Sequence, residues 1–288
     1  MRVKALWIVL VLSCLRPGSI RSDAHLEPPQ APAKDPPQLS DVSMMPKMDG
    51  LPAHIASAVL QEEWLFHKSI DGSHPDANEQ QMVWLMNRAR ANPAVEGEWL
   101  ATMSDSDVAG ARTYFNVDLT SLRAEFSRIA DQPPAAFDVR LYNAAESHSE
   151  DLIARDKQDH LGQLDRVMAA GFSFSSARGR VFSYATGPVY AHAAFNIDWG
   201  GDDGTGMQPG RGHRAAIMGS EPNLGIAMVS DSSPMTAVGP LVTTANYCTA
   251  NTSRSNHYNR FLVGTVWRDK NSNEMYDAGE GLADVLVR

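Results

Sequence analysis

The chain has 288 residues, of which 43% are hydrophobic, a share that suits a folded core and argues against a disordered or fibrous protein. A formal charge of −9, with no Lys/Arg-rich cluster, argues against a nucleic-acid partner, because phosphate binding needs a basic face that releases counterions. Only Cys14 and Cys248 occur, so no disulfide framework staples the fold and stability rests on packing.

The N-terminus reads as an export signal over residues 1–22: Arg2 and Lys4 precede the apolar run Ala5–Leu12, which is too short to span a bilayer. Val11-Leu12-Ser13-Cys14 resembles a bacterial lipobox, in which Cys14 becomes a lipidated first residue; the plain alternative is a signal core that contains a Cys. Either way the expected location is extracellular or in the cell envelope, with no transmembrane helix in the mature chain. Residues 23–75 form a Pro-rich tether (EPPQAPAKDPPQ) and a short helical lead-in over Leu51–Phe66.

The first strong helix follows Pro75, with Asn78 and Gln81 as its cap and Met82, Leu85, Met86 and Ala89 at helical spacing up to the Asn92-Pro93 stop. A second helix is predicted from Asp138 to Lys157. Its apolar stripe is Leu141, Ala144, Ala145, His148 and Leu152, and His148 on that stripe reads as a core histidine. Strands are predicted over Gly179–Thr186, Leu224–Val229 and Val238–Thr244, with a helix over Tyr190–Trp199 and a Gly-rich loop leading to His213. Helices first and strands interleaved later predict an α+β class or a layered α/β/α sandwich rather than a regular βαβ array.

Several stretches, in order, resemble bacterial CAP (SCP-like) domains, the family of cysteine-rich secretory, antigen 5 and pathogenesis-related proteins. They are LMNRARANPAVEGEW, PPAAFDVRLYNAAESHSEDL, Asp159-His160-Leu161-Gly162 with Asp165-Arg166 and Ala170-Gly171-Phe172, and Gly212-His213-Arg214 with Leu224-Gly225-Ile226. The resemblance covers about Asn78 to Tyr247, within a domain set at residues 76–250, and implies the family's fold, a three-layer α/β/α sandwich. It also implies a cleft of two His and two acidic residues able to hold Zn²⁺ or another divalent ion; by position these are His160, His213 and Asp198. The fourth place, a Glu in the family, reads Arg178-Gly179-Arg180, so a carboxylate is missing and basic residues flank the gap, which weakens cation binding. The function so implied is a secreted or surface-tethered binding module for an envelope component, a lipid-like ligand or a protein partner. The alternative is a metal-assisted hydrolase in the same cleft.

After a linker at 251–260, the segment 261–288 carries Asp269, Asn271, Asn273, Asp277 and Glu280 at positions 1, 3, 5, 9 and 12 of a calcium-loop spacing, with the Met275 carbonyl at 7. Position 6, usually Gly, is Glu274. The flanks Leu262–Trp267 and Leu282–Val287 alternate like strands. The segment resembles part of the calcium-binding B-type repeats of bacterial surface adhesins, which implies Ca²⁺ as its ligand.

Overall fold

The computed structural model describes residues 4–5, 64–201, 203–283 and 285. The expected signal segment (apart from Lys4–Ala5), the tether and the helical lead-in up to residue 63 lie outside the described residues. Residues 64–75 form turns and bends with no helix.

Helix α1 spans Ala77–Ala91. Its cap is Asp76 rather than Asn78. The Asp76 carboxylate accepts from the Glu79 amide at 2.8 Å while Glu79 reaches back to the Asp76 amide at 2.8 Å, a box two residues earlier than the Asn78/Gln81 pair. Asn92-Pro93 ends α1 but also starts α2 (Pro93–Thr102), since the Asn92 side chain caps Val95 and Pro is tolerated in a first turn. Two short helices that apolar spacing does not reveal follow: α3 (Ser106–Tyr114), capped by Asp105, and α4 (Leu119–Phe126), capped by Asp118. Helix α5 (Val139–Arg155) starts on Asp138 and ends on left-handed Asp156, and its predicted apolar stripe is buried. Helix α6 is Gln163–Ala169, α7 is Pro188–Ile197 and α8 is Gly212–Ile217.

Besides a two-residue strand β1 (Lys4–Ala5) paired with β6 (Val266–Trp267), one mixed sheet organises the chain. Its order is β2 (Ala136–Phe137), β4 (Asn223–Ser230), β5 (Leu241–Ala250), β3 (Phe174–Ala185), with β2–β4 parallel and the other pairs antiparallel. β5 runs later than Val238–Thr244 because Pro240, lacking an N–H, can only precede the ladder. β3 starts five residues before Gly179 because it pairs along the whole of β5.

Side chains alternate across this sheet. On one face Gly225, Asn246 and Cys248 meet α5 and α6; a Cβ on Gly225 would lie 2.1 Å from the Leu141 carbonyl carbon, so only glycine lets the helix approach this closely. On the other face Leu224, Ile226, Ala245 and Tyr247 join the main core with Met86 of α1 and with Phe195 and Ile197 of α7. The result is an α+β fold in three layers, α5/α6, sheet and α1/α7/α8. Among the described residues no helix is long and apolar enough to cross a membrane.

Residues 251–283 pack on this body. Asn259 bonds both main-chain groups of Ala250, and His257, buried, accepts from the Ser173 amide at 2.8 Å, so the linker 251–260 is held against the sheet. Trp267 and Tyr276 sit against Trp84 and Leu85 of α1. Among the described residues of the strand-like flanks, Val266–Trp267 is a strand, with a bridge from Trp267 to Gly281. Trp267 is fixed by its burial, whereas Leu262 is exposed and has no strand to pair with among the described residues.

Candidate functional site

The sequence places its candidate cleft at β3, an edge strand of the sheet. Alternation puts Gly179 and Val181 toward α5 and α6, and Arg178, Arg180 and Phe182 toward α7 and α8.

His160 is exposed, in the turn before α6. Its Nδ1 lies 2.7 Å from Gln163 Oε1, and a buried chain of hydrogen bonds sets the polarity of that contact. The Leu141 carbonyl can only accept, so Asn246 donates to it; Asn246 Oδ1 then accepts from Gln163 Nε2 at 3.0 Å, and Gln163 Oε1 accepts from His160 Nδ1–H. Gln163 reaches this position only because residue 179 is glycine: a Cβ there would stand 2.4 Å from Gln163 Cδ. The ring's Nε2 is left free to face solvent or a ligand.

Asp198 ends α7 in the left-handed conformation, φ 58°, with its carboxylate turned inward and 1% exposed. It accepts from the His213 amide at 2.9 Å and from His213 Nδ1–H at 2.7 Å. The His213 ring stacks on Phe195 at 5.3 Å, and its Nε2 lies 3.2 Å from the Val181 carbonyl. Both ring nitrogens therefore face acceptors, and neither offers a lone pair outward.

His160 and His213 thus reach the β3 edge from different layers, and no hydrogen bond joins them. A cavity of about 590 Å³ is lined by His160, Gly162–Asp165 and Ala177–Arg180; His213 and Asp198 do not line it. Arg180 belongs to both surroundings, lining the cavity while its Nε donates to the Gly212 carbonyl at 2.7 Å, next to His213. Arg178 pairs with buried Glu221 at 2.8 Å. This donor set does not fit a resident zinc-like ion: His213 has no free nitrogen, Asp198 is spent on His213, and a guanidinium stands where a carboxylate ligand would be needed. Among the described residues no group of three or more His, Cys, Asp or Glu is placed to hold a metal. Among the described residues no Ser, Thr or Cys hydrogen-bonds to His160 or His213, so none of them pairs a nucleophile with a base. Cys248 is fully buried, and burial pushes its thiol well above the ordinary range.

In the C-terminal loop the named side chains converge locally. Asp277 Oδ2 accepts from the amides of Asn271 at 2.8 Å and Asn273 at 2.7 Å, and its Oδ1 accepts from Gln81 of α1 at 2.9 Å. The Asp269 carboxylate accepts from the main-chain amides of Asn273 and Glu274, each at 3.2 Å. Glu280 closes the loop through the amides of Lys270 at 2.7 Å and Asp277 at 3.1 Å. Met275 donates its amide to Asn273 Oδ1, while its sulfur meets Arg88. Glu274 takes φ 64°, a conformation that costs a side-chain-bearing residue more than Gly.

Sequence reasoning passed over His192, Glu96 and Arg88. His192 is completely buried in α7 and donates Nε2–H to Glu96 at 2.8 Å, and Glu96 also accepts a two-pronged bond from Arg88. Burial pushes His192 below its ordinary value, more than the Glu96 contact restores. Burial favours protonated Glu96, but His192 and Arg88 together outweigh it and hold the carboxyl below its usual range. The i, i+4 spacing of His192 and Asn196 was visible in the sequence; the distant Glu96 partner was not. His148 is likewise satisfied in the core, between the Asp159 carbonyl and Arg166, and burial lowers its pKa.

No protein-family model matches the chain, and no curated protein does. Among solved structures it is similar to an extracellular protein containing an SCP domain from Bacillus anthracis str. Ames, at 18% identity and a TM-score of 0.31, over 51% of this chain and 44% of that one. The chain therefore spans under half the length of that protein, and the fold described above stands on its own layers and strand order.

Proposed function

We propose that this chain is an exported SCP-like binding module that engages an envelope component, a lipid-like ligand or a protein partner at the β3 edge, where His160 and Arg180 line the cavity and Asp198–His213 braces it from behind. The observation that carries this reading is the chemistry of the edge: positioned polar groups open onto a cavity, while no nucleophile is paired with either histidine. The hydrolase alternative would activate water on a metal, and what speaks against it is the donor set, in which Asp198 and both His213 nitrogens are taken up by protein partners. Asp198–His213 acts as a strut, holding the start of α8 against the end of α7.

The loop Asp269–Glu280 is proposed as a calcium site that braces the C-terminal segment on α1. Its donors are hard oxygens of the kind calcium takes. Asn271 and Asn273 now direct amide N–H groups at Asp277, and calcium would stand in for those donors. Export follows from the N-terminal signal, with anchorage if Cys14 is lipidated.

The test is co-sedimentation of the mature chain with peptidoglycan sacculi and phospholipid vesicles, run beside a panel of peptide and ester substrates. Binding weakened by His160→Ala, with no turnover, is the expected result. Turnover lost in His213→Ala would install the hydrolase reading instead.

A further inference from the structure

We infer that the β3-edge cavity takes an oxyanion, a phosphate or carboxylate group carried on a larger ligand, held by the Arg180 guanidinium fork with His160 and Arg178 beside it. This deepens the proposed binding role and rests on it.

The charge inventory around the cavity carries the inference. Arg178 is matched by Glu221, and Asp198 turns both carboxylate oxygens to hydrogen bonds with His213. Arg180 has no carboxylate partner among the described residues: its hydrogen bonds go to the main-chain carbonyls of Gly179 and Gly212. It is nevertheless only partly exposed, and burial disfavours its charge. Asp198 and Glu221 favour its charge from a distance, but neither bonds it, so this half-buried guanidinium has no carboxylate in contact with it. The one carboxylate in the lining, Asp165, is exposed and so more strongly screened by water.

Shape and hydrogen-bond polarity agree with this assignment. A planar guanidinium presents parallel donors that match two oxygens of a carboxylate or phosphate. The chain from Leu141 through Asn246 and Gln163 fixes His160 with its proton on Nδ1, so its Nε2 is the nitrogen left for a ligand, and protonation turns that nitrogen into a second donor. At about 590 Å³ the cavity exceeds a bare anion and has room for part of the molecule that carries it.

The experiment is isothermal titration of the mature full chain with inorganic phosphate, and with citrate as the carboxylate probe. Saturable millimolar binding is expected, weakened at least about tenfold in Arg180→Gln, as removal of a charged hydrogen-bond fork requires. Arg180→Lys, which keeps the charge and loses the fork, should fall between the two, and His160→Asn should weaken binding less. Circular dichroism and unliganded melting of each variant separate lost binding from lost folding. Source is resolved by two further arms. Anionic phosphatidylglycerol vesicles binding over phosphatidylcholine vesicles would assign a lipid headgroup, and soluble glycerol phosphate binding without vesicle binding would assign a free ester; Arg180 dependence in either arm supports the inference. Equal affinity in wild type and Arg180→Gln, or no heat from either probe, overturns it. If sacculus or vesicle binding persists in that case and still depends on His160, the oxyanion inference fails alone and the binding role stands.

Discussion

Two regions of this molecule are drawn by sequence toward the same reading, a divalent cation, and they differ in how they are built. The loop Asp269–Glu280 gathers its oxygens from twelve consecutive residues, and Asp277, Asn271 and Asn273 already touch. The β3 edge is assembled from segments far apart in the chain, and its central charge is the Arg180 cation. Local spacing specifies a loop because neighbouring residues share one turn; a cleft built from strand, helix end and turn is decided by what each segment puts opposite the others. The loop's carboxylates are occupied by neighbouring amide donors, whereas the cleft holds a guanidinium.

Helix α1 and its partner α2 support the loop, and the largest expected effect is there. Arg88 is held by Glu96 and in turn meets Met275, so Glu96→Ala would leave a guanidinium and a buried His192 without their shared acceptor. Loss of about 3–5 kcal/mol is expected on breaking such a buried set, read by urea denaturation, with the loop more open to protease. A loss below about 1 kcal/mol would detach the loop from this network.

At the cleft, Gly179→Ala should cost about 1–3 kcal/mol, the usual effect of forcing a methyl group into a filled site. A methyl there displaces Gln163 and with it the His160 orientation, so the His160 ring resonances should move in NMR although the ring is distant in sequence. Unchanged stability together with an unmoved His160 would show that Gln163 does not need the space.

Acid should separate the core from both surface regions. His148 and His192 have folded values below the ordinary 6.5, so the unfolded chain binds more protons and stability falls as pH drops below about 6.5 toward each lowered folded value. The slope approaches about 1.4 kcal/mol per pH unit for each histidine inside that window. Denaturation midpoints between pH 7 and 5 check the sign. His192→Gln should flatten the curve, and stability that rises on acidification would contradict the neutral state assigned to both rings.

Calcium gives the smallest effect. Binding in the range of about 10⁻⁴ to 10⁻³ M is expected of a loop with this donor spacing, and calcium at ten times its dissociation constant would then stabilise by about 1.4 kcal/mol. Protection of residues 251–285 from protease should grow with calcium and disappear in Asp269→Ala/Glu280→Ala. Protection that ignores both would leave the loop a polar turn.

The legible parts of this sequence are those whose information is local. The α5 stripe from Leu141 to Leu152 and the α1 residues Met82 to Ala89 repeat at helical spacing and are buried as that spacing requires. Helices α3 and α4 were not legible because each is short and is set by an Asp cap more than by an apolar face. The β3 start escaped because Phe174–Ala177 pairs with a distant strand that its own residues do not announce. At the site, His160, Asp198 and His213 were reached through resemblance. The hydrogen bond between Asp198 and His213, the glycine that admits Gln163 and the position of Arg180 are long-range facts. No spacing rule contains them.

The central claim is that the cleft holds a guanidinium where a metal ligand would be needed, and zinc affinity tests it most directly. In a chelator competition with the mature chain, the account predicts no zinc binding tighter than about micromolar and no change in His213→Ala, because His213 already directs both nitrogens at protein acceptors. Nanomolar zinc binding that is lost in both His160→Ala and His213→Ala would contradict it, since it would require both rings to turn toward one ion.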